Sequence, residues 1–120
     1  VTAVTPAKAG VPLFLARQAM KRGGWIYIMT ERYRGTLYIG VTAFLADRIT
    51  QHHEGKGAAF TSKYGLTRLI YAEHHDRIED AIAREKAMKK WRRQWKIDLI
   101  ENANPDWHDL YDQIAGATLS

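Results

Sequence analysis

Five polar side chains in this chain have the types needed for hydrolysis of a phosphodiester. They are two phenols, a guanidinium, an imidazole and a carboxylate: Tyr27, Tyr38, Arg48, His52 and Glu85. Phosphodiester hydrolysis needs a positioned water, a cation beside the phosphorane oxygens and a metal ion at the leaving oxygen. A single carboxylate is adequate for Mg²⁺, because this ion binds few protein ligands and keeps several of its waters.

Glu85 is the least expected of the five, because it interrupts an apolar stripe. Apolar residues recur here at steps of three and four, which predicts the buried face of a long helix: Ile78, Ala81, Ile82, Met88, Trp95 and Leu99. A buried carboxylate without a partner is strongly unfavourable, so Glu85 must meet a metal ion, a polar cleft or a cation. A structural ion pair with Arg48, or with a helix lysine such as Lys89, is the alternative, and the residues alone leave both open.

The other four residues are ordinary when taken singly. Arg48 and His52 lie one helical turn apart, and an arginine at a core-facing edge either pairs with an acid or binds a phosphate. A lone histidine is more often a satisfied half-buried residue, and tyrosines on one face of a hairpin are mostly core. The conjunction of all five, each facing the core or a cleft, is what favours hydrolysis.

The elements that must position these residues follow from local patterns. A β-hairpin is predicted from strands at 25–30 and 36–41, joined by a polar loop that ends in Gly35. Side chains alternate along a strand, so Tyr27 and Tyr38 can face the same side of an antiparallel pair. A helix from about Phe44 to His53, with Thr42 as its N-cap, then carries Arg48 and His52.

The second half of the chain reads as one more strand and two more helices. The pattern predicts a Gly- and Lys-rich loop, then a strand at 68–72 and a helix that starts at the capping-box-like Asp76–Glu79. This helix runs to about Asn102 and is bent or broken near Trp91, and a short helix follows at 107–114. The order β-β-α-β-α-α predicts an α/β (α+β) fold, with a small three-stranded antiparallel or mixed sheet flanked by helices. We expect residues 24–114 to form this domain, between a flexible or partly helical arm (1–23) and a tail (115–120).

Length and composition bound the class of protein. The chain has 120 residues, of which 46% are hydrophobic and 26% charged, as expected for one globular domain. No apolar run is long enough to span a bilayer, so we expect no membrane partner. The absence of cysteine excludes a disulfide-linked partner, a thiolate zinc site and cysteine catalysis, and it favours a cytoplasmic location.

Charge is concentrated on one predicted helix. The formal net charge is +5, and seven Lys and Arg residues between Arg84 and Lys96 are opposed only by Glu85. Such a surface suits a polyanion such as nucleic acid. The candidate phosphate-binding residues on this helix and in the Gly/Lys loop are Lys56, Lys63, Lys89, Lys90, Arg92, Arg93 and Lys96.

The motifs together resemble the GIY-YIG nuclease superfamily. Trp25-Ile26-Tyr27 and Tyr38-Ile39-Gly40 are similar to its paired motif, with Trp25 in place of the first glycine, and Arg84-Glu85-Lys86 supplies the acid. The runs 89–96 and 104–107 are similar to the small stand-alone bacterial members, an excision-endonuclease-like single-domain subgroup. The resemblance covers roughly residues 24–111, nearly the whole chain apart from the predicted arm (1–23).

The resemblance implies a metal-dependent endonuclease that works by single-metal water attack, with a role such as DNA repair. Its substrate is DNA or a structured or single-stranded nucleic acid, with DNA favoured over RNA. The resemblance also implies that Tyr27 activates or orients the attacking water and that Tyr38 positions the water and the phosphate. Arg48 would stabilise the charge of the phosphorane. His52 stands where some members have a general base or another tyrosine. Glu85 would hold one Mg²⁺ or Mn²⁺, and Asn104 (or the nearby Asn102) matches a late polar residue. A phenol is a poor base at its usual pKa of ~10, so either nearby cations lower that pKa or His52 takes the proton.

Two other functions remain open from the residues. The same scaffold could be a non-catalytic nucleic-acid-binding module, whose binding would also be salt-sensitive. A protein-interaction domain is the third reading, with an aromatic surface made of Trp91, Trp95, Trp107 and Tyr111. Aromatic residues at helical spacing more often pack in a core, which disfavours this third reading.

Overall fold

The computed structural model describes residues 23–114, which form a three-stranded antiparallel sheet with helices on both faces. The strands are β1 (Gly24–Thr30), β2 (Tyr38–Thr42) and β3 (Arg68–His75), in the order β2-β1-β3. The helices are α1 (Leu45–His53), α2 (Ala59–Tyr64), α3 (Ile78–Lys89) and α4 (Arg93–Ala103), and a helical turn follows at 111–114. The predicted α+β fold is confirmed, with an antiparallel sheet. The predicted arm (apart from Gly23) and the tail lie outside the described residues.

Strand β1 is the centre of the core, and all of its residues are buried. Because side chains alternate, Trp25, Tyr27 and Met29 pack on one face of the sheet with α1. Ile26 and Ile28 pack on the other face with α3 and α4. The polar residues of interest therefore stand on a strand that packing holds from both sides.

The hairpin loop is longer than predicted. The Glu31 carboxylate accepts hydrogen bonds from the backbone N–H of Thr36 at 2.8 Å and from its hydroxyl at 3.2 Å. These bonds hold Thr36 in the loop, so β2 begins at Tyr38 and not at residue 36. The paired register is the one that the site needs, since Tyr27 lies opposite Gly40.

Two predictions around α1 are wrong. The N-cap of α1 is Phe44, and Thr42 ends β2, where its hydroxyl accepts a hydrogen bond from the Phe44 N–H at 3.0 Å. The predicted loop after α1 contains a six-residue helix, α2, which ends at Gly65 with a left-handed φ of 69°. Strand β3 extends to His75, three residues beyond the prediction.

The predicted capping box before α3 is also wrong. Arg77 is the N-cap of α3, without a side-chain cap bond, and the Asp76 carboxylate points to solvent near the His74 ring at 3.8 Å. The predicted break near Trp91 is confirmed, because α3 ends at Lys89 and α4 starts at Arg93.

The break changes which residues are buried. Ile82 lies before the break, in α3, and is 37% exposed, so the stripe was also wrong within that helix. After the break, Trp95 is 50% exposed, although the stripe placed it inside. Ile97 and Ile100 are buried instead, because the extended backbone at the break gives α4 a different rotation from a continuous helix. Ala81 and Met88 are buried as predicted. No helix within residues 23–114 is long and apolar enough to cross a membrane.

Candidate active site

Tyr27 lies fully buried at the middle of β1, directly opposite Gly40 of β2. A Cβ atom at position 40 would overlap the ring and hydroxyl of Tyr27. The glycine of the Tyr38-Ile39-Gly40 motif therefore gives the phenol its place beside the second strand.

We expect Gly40→Ala to destabilise the protein, because the added methyl group has no free space between the strands. Overpacking of this kind lowers the free energy of unfolding by about 1–3 kcal/mol. Urea denaturation of the variant and the wild type measures the difference. An unchanged midpoint would show that the strands separate to accept the methyl group.

Three aromatic rings form a compact triangle on this face of the sheet. Ring centroids lie 6.3 Å apart for Tyr27 and Tyr38, 5.4 Å for Tyr27 and His52, and 5.8 Å for Tyr38 and His52. The hairpin supplies the two tyrosines, and α1 supplies the histidine. The structure thus brings together three residues that are separated by up to 25 positions along the chain.

A buried hydrogen bond joins two members of the triangle. The Tyr27 hydroxyl lies 3.0 Å from Nε2 of His52, and both residues are buried. The other ring nitrogen, Nδ1, lies 2.9 Å from the hydroxyl of Thr61 in α2. Gly57 lies against the same ring, and a Cβ atom there would overlap it.

Arg48 and Glu85 both influence the pKa of the Tyr27 hydroxyl. Burial is the largest influence and raises the pKa of Tyr27 to about 12, while the hydrogen bond and charge of Arg48 oppose the rise. The Tyr38 phenol and the Glu85 carboxylate add smaller increases to the pKa of Tyr27. The other four predicted residues, Tyr38, Arg48, His52 and Glu85, therefore all influence the buried Tyr27 phenol.

His52 is held neutral. Burial, and after it the charge of Arg48, lowers the pKa of His52 below its ordinary value of 6.5. A neutral imidazole has one nitrogen with a free lone pair, so His52 is able to accept a proton.

The lowered pKa of His52 makes stability depend on pH. Between the folded-state pKa and 6.5, the unfolded chain binds a proton that the folded chain does not. We therefore expect the free energy of unfolding to fall as the pH drops through this window and to lose no more from this group below it. NMR titration of the His52 ring gives the pKa, and urea unfolding of the wild type and His52→Gln isolates its contribution. Titration of His52 at or above 6.5 would contradict this account.

Glu85 is both nearly buried and ion-paired. Its side chain is 12% exposed, and one carboxylate oxygen lies 2.6 Å from Nζ of Lys89, one turn later on α3. The alternative pairing with a helix lysine is thus observed. The second carboxylate oxygen takes no part in this ion pair, and it is a hard donor of the kind that Mg²⁺ prefers. Within residues 23–114, no three His, Asp or Glu side chains converge, so a metal ion there would have few protein ligands.

Asn104 serves the C-terminal segment. Its side-chain NH₂ donates to the backbone oxygens of Ile70 and His108, each at 2.9 Å, and its side-chain oxygen accepts from the His108 N–H at 3.1 Å. These bonds tie the end of α4 to β3. Among the described residues, no hydrogen bond joins Asn104 to the aromatic triangle, and its catalytic role stays a prediction. Asn102 is exposed.

The predicted phosphate-binding residues at the α3–α4 corner are accessible. Lys89, Lys90 and Arg92 are exposed, and Lys96 is partly so. The Arg92 guanidinium lies 5.2 Å from the ring centroid of the half-exposed Trp95. This corner presents a basic, aromatic surface directly after the helix that carries the carboxylate.

The remaining basic residues are placed differently. Nη2 of Arg93 donates to the backbone oxygens of Arg34 and Gly35, at 2.6 and 2.8 Å, so Arg93 anchors the hairpin loop to α4. Lys56 and Lys63 are exposed on the segment that contains α2, whose Phe60 and Thr61 contact Tyr38 and His52 of the aromatic triangle.

Sequence reasoning missed the side chains that support the site. Thr61 and Gly57 lie in a stretch predicted to be a loop, and both contact His52. Phe60 stacks on Tyr38, with ring centroids 6.2 Å apart and an interplanar angle of 20°. No periodicity in the chain relates these residues to β2 or α1, because the contacts depend on α2 folding back.

Fold and site together define a small α+β domain whose polar site is built on a β-hairpin and the helix after it. Residues 23–98 match the family model of the GIY-YIG catalytic domain, so the chain belongs to the GIY-YIG family. This confirms the resemblance seen in the sequence and indicates a nuclease family.

Similar curated proteins include UPF0213 proteins of bacteria. The chain is 36% identical over 76 residues to one from Staphylococcus saprophyticus, covering 63% of this chain and 92% of that protein. It is 30% identical over 98 residues to one from Desulfotalea psychrophila, covering 81% and 89%. A third, from Pediococcus pentosaceus, is 32% identical over 78 residues, covering 65% and 82%. No solved structure matches the chain.

Proposed function

We propose that this protein is a metal-dependent endonuclease that hydrolyses phosphodiester bonds in nucleic acid, DNA rather than RNA. The observation that carries the proposal is the buried hydrogen bond between Tyr27 and neutral His52, beside the Arg48 guanidinium. A phenol and an imidazole joined in this way form a proton-transfer pair next to a phosphate-binding cation. The proposed domain is residues 24–114, and a cytoplasmic location stays a prediction.

In the proposed reaction, one proton moves from water to Tyr27 and a second moves from Tyr27 to His52. The Tyr27 oxygen takes a proton from the attacking water as its own proton passes to Nε2 of His52. The water oxygen forms the new bond to phosphorus, and the bond from phosphorus to the leaving sugar oxygen breaks. Arg48 stabilises the added charge on the phosphorane, and Tyr38 orients the water and phosphate.

Glu85 would hold the divalent ion. The carboxylate oxygen outside the Lys89 pair and the low exposure suit Mg²⁺ or Mn²⁺, and the ion would supply positive charge to the leaving oxygen. The contact with Lys89 also neutralises Glu85 until an ion binds, which explains how the carboxylate tolerates burial.

A cleavage panel tests the proposal. The full chain is incubated with duplex, branched and single-stranded DNA and with the matching RNAs, in Mg²⁺ or Mn²⁺. We expect internal cleavage of DNA that stops when EDTA is added. Salt-sensitive binding without cleavage in either metal would contradict the proposal and favour the non-catalytic binding module.

The basic corner is the proposed binding surface for phosphates. We expect Lys90→Gln and Arg92→Gln each to weaken binding to all sequences alike, because each side chain releases counterions on contact with a phosphate. Each change should reduce the slope of log K against log salt by about one. Fluorescence anisotropy over a salt series gives this slope. Arg77→Gln removes the same charge at the other end of α3 and should leave the slope unchanged, whereas equal losses would disprove a local surface.

A further inference from the structure

We propose that Thr61 is a positioning residue that fixes the tautomer of His52, with the proton on Nδ1 and the lone pair of Nε2 directed at the Tyr27 hydroxyl. The catalytic consequence rests on the proposed function. The structural part, which nitrogen carries the proton and why, stands on hydrogen-bond geometry alone.

The hydrogen-bond chain determines the direction of each bond. The Thr61 hydroxyl donates its proton to the backbone oxygen of Ala58 at 2.9 Å. A hydroxyl has one proton, so the Thr61 oxygen can only accept at its 2.9 Å contact with Nδ1 of His52. Nδ1 must then carry the proton of the neutral ring. Nε2 is left with its lone pair and accepts from the Tyr27 hydroxyl at 3.0 Å.

Burial leaves little room for another arrangement. Thr61 and His52 are each 2% exposed, so bulk water has little access to replace a missing partner. Gly57 lies against the ring where a Cβ atom would overlap it, which limits how far the ring can shift.

Thr61 also occupies a position where packing alone would favour an apolar side chain. It is the one buried residue of α2, a helix whose other members are exposed. A hydroxyl at such a position is costly unless it is bonded, and both of its bonds are made here, to Ala58 and to His52. The short helix α2 therefore presents a bonded hydroxyl to the histidine.

The tautomer matters because only an unprotonated Nε2 can take the proton of Tyr27. In the opposite tautomer the Nε2–H would point at the phenol oxygen, and proton transfer from Tyr27 would have no acceptor. Partners that orient a histidine from its second nitrogen generally act by this means, and their loss is costly even when the ring stays in place.

The test compares Thr61→Val, which keeps the shape but loses the hydroxyl, with Thr61→Ser, which keeps the hydroxyl. ¹⁵N NMR of the His52 ring reports the tautomer without any need for activity. We expect protonated Nδ1 in the wild type and Thr61→Ser, and a mixture of tautomers in Thr61→Val. In cleavage assays we expect kcat to fall by about 10–100-fold in Thr61→Val, with KM little changed, and to recover in Thr61→Ser.

The outcomes separate this proposal from the proposed function. A wild-type ring protonated on Nε2, or an unchanged tautomer in Thr61→Val, would overturn the role of Thr61 whatever the activity. A changed tautomer with unchanged kcat would overturn its catalytic part. If the wild type cleaves nothing but the His52 tautomer changes in Thr61→Val, the nuclease proposal is overturned and the control of His52 by Thr61 is supported. If Thr61→Val does not fold, the wild-type and Thr61→Ser spectra still decide the tautomer.

Discussion

Glu85→Gln is expected to lower metal-dependent cleavage by about 10³-fold, while nucleic-acid binding stays near the wild-type level. The amide has nearly the same shape as the carboxylate but lacks the negative charge that holds a divalent ion. The measurement is single-turnover cleavage over a range of Mg²⁺ and Mn²⁺ concentrations, with binding followed by anisotropy. Unchanged activity in Glu85→Gln would remove the metal role of this residue.

Two control variants separate a metal ligand from a structural ion pair. Glu79→Gln changes an exposed acid near the start of α3 that only approaches Arg77, at 3.7 Å, and should leave cleavage unchanged. Lys89→Gln breaks the ion pair with Glu85 but leaves the carboxylate. We expect it to weaken binding and keep the maximal rate and the metal requirement. If Lys89→Gln instead reproduces the loss seen in Glu85→Gln, the ion pair itself is what the site needs.

The hairpin and the tyrosines could be predicted from the sequence because their determinants are local. Alternation along two adjacent strands places Tyr27 and Tyr38 on one face, and the glycine at position 40 marks a close approach. The burial of Glu85 could also be predicted, since its position in an apolar stripe depends only on helical period. What it pairs with could not, because a metal ion and a lysine satisfy a carboxylate by the same charge.

The supporting residues could not be predicted, because they depend on how a short segment returns to the sheet. Residues 59–64 have no amphipathic period long enough to indicate a helix. The one buried residue of α2, Thr61, contacts His52. The prediction that Trp95 is buried was wrong for a related reason. A periodic stripe assumes a continuous helix, and a break of a few residues at 90–92 changes every position after it.

The pKa values of the central pair constrain how it can work. Tyr27, with a pKa raised to about 12, keeps its proton at neutral pH, and His52, with a pKa below 6.5, is neutral and in the proposed tautomer carries its one proton on Nδ1. Proton transfer from Tyr27 to His52 is therefore unfavourable in the resting protein. It becomes feasible only when the water oxygen bonds to phosphorus in the same step, because that bond makes the water far more acidic, so the pair acts as a relay and not as a stored phenolate. Loss of either group should then remove the relay as a whole.

Tyr27→Phe is accordingly expected to lower the cleavage rate by about 10²–10⁴-fold with little effect on binding. The ring still fills the space above Gly40, but the variant lacks the oxygen that receives the proton of water, and Nε2 of His52 loses its donor. Single-turnover rates and binding measured on the same substrate separate the two effects. The matched control is Tyr33→Phe, which removes a hydroxyl from an exposed tyrosine of the hairpin loop and should leave the rate unchanged. A rate in Tyr27→Phe within a few-fold of the wild type would show that water is activated without this phenol, and His52 would then have to act on the water directly.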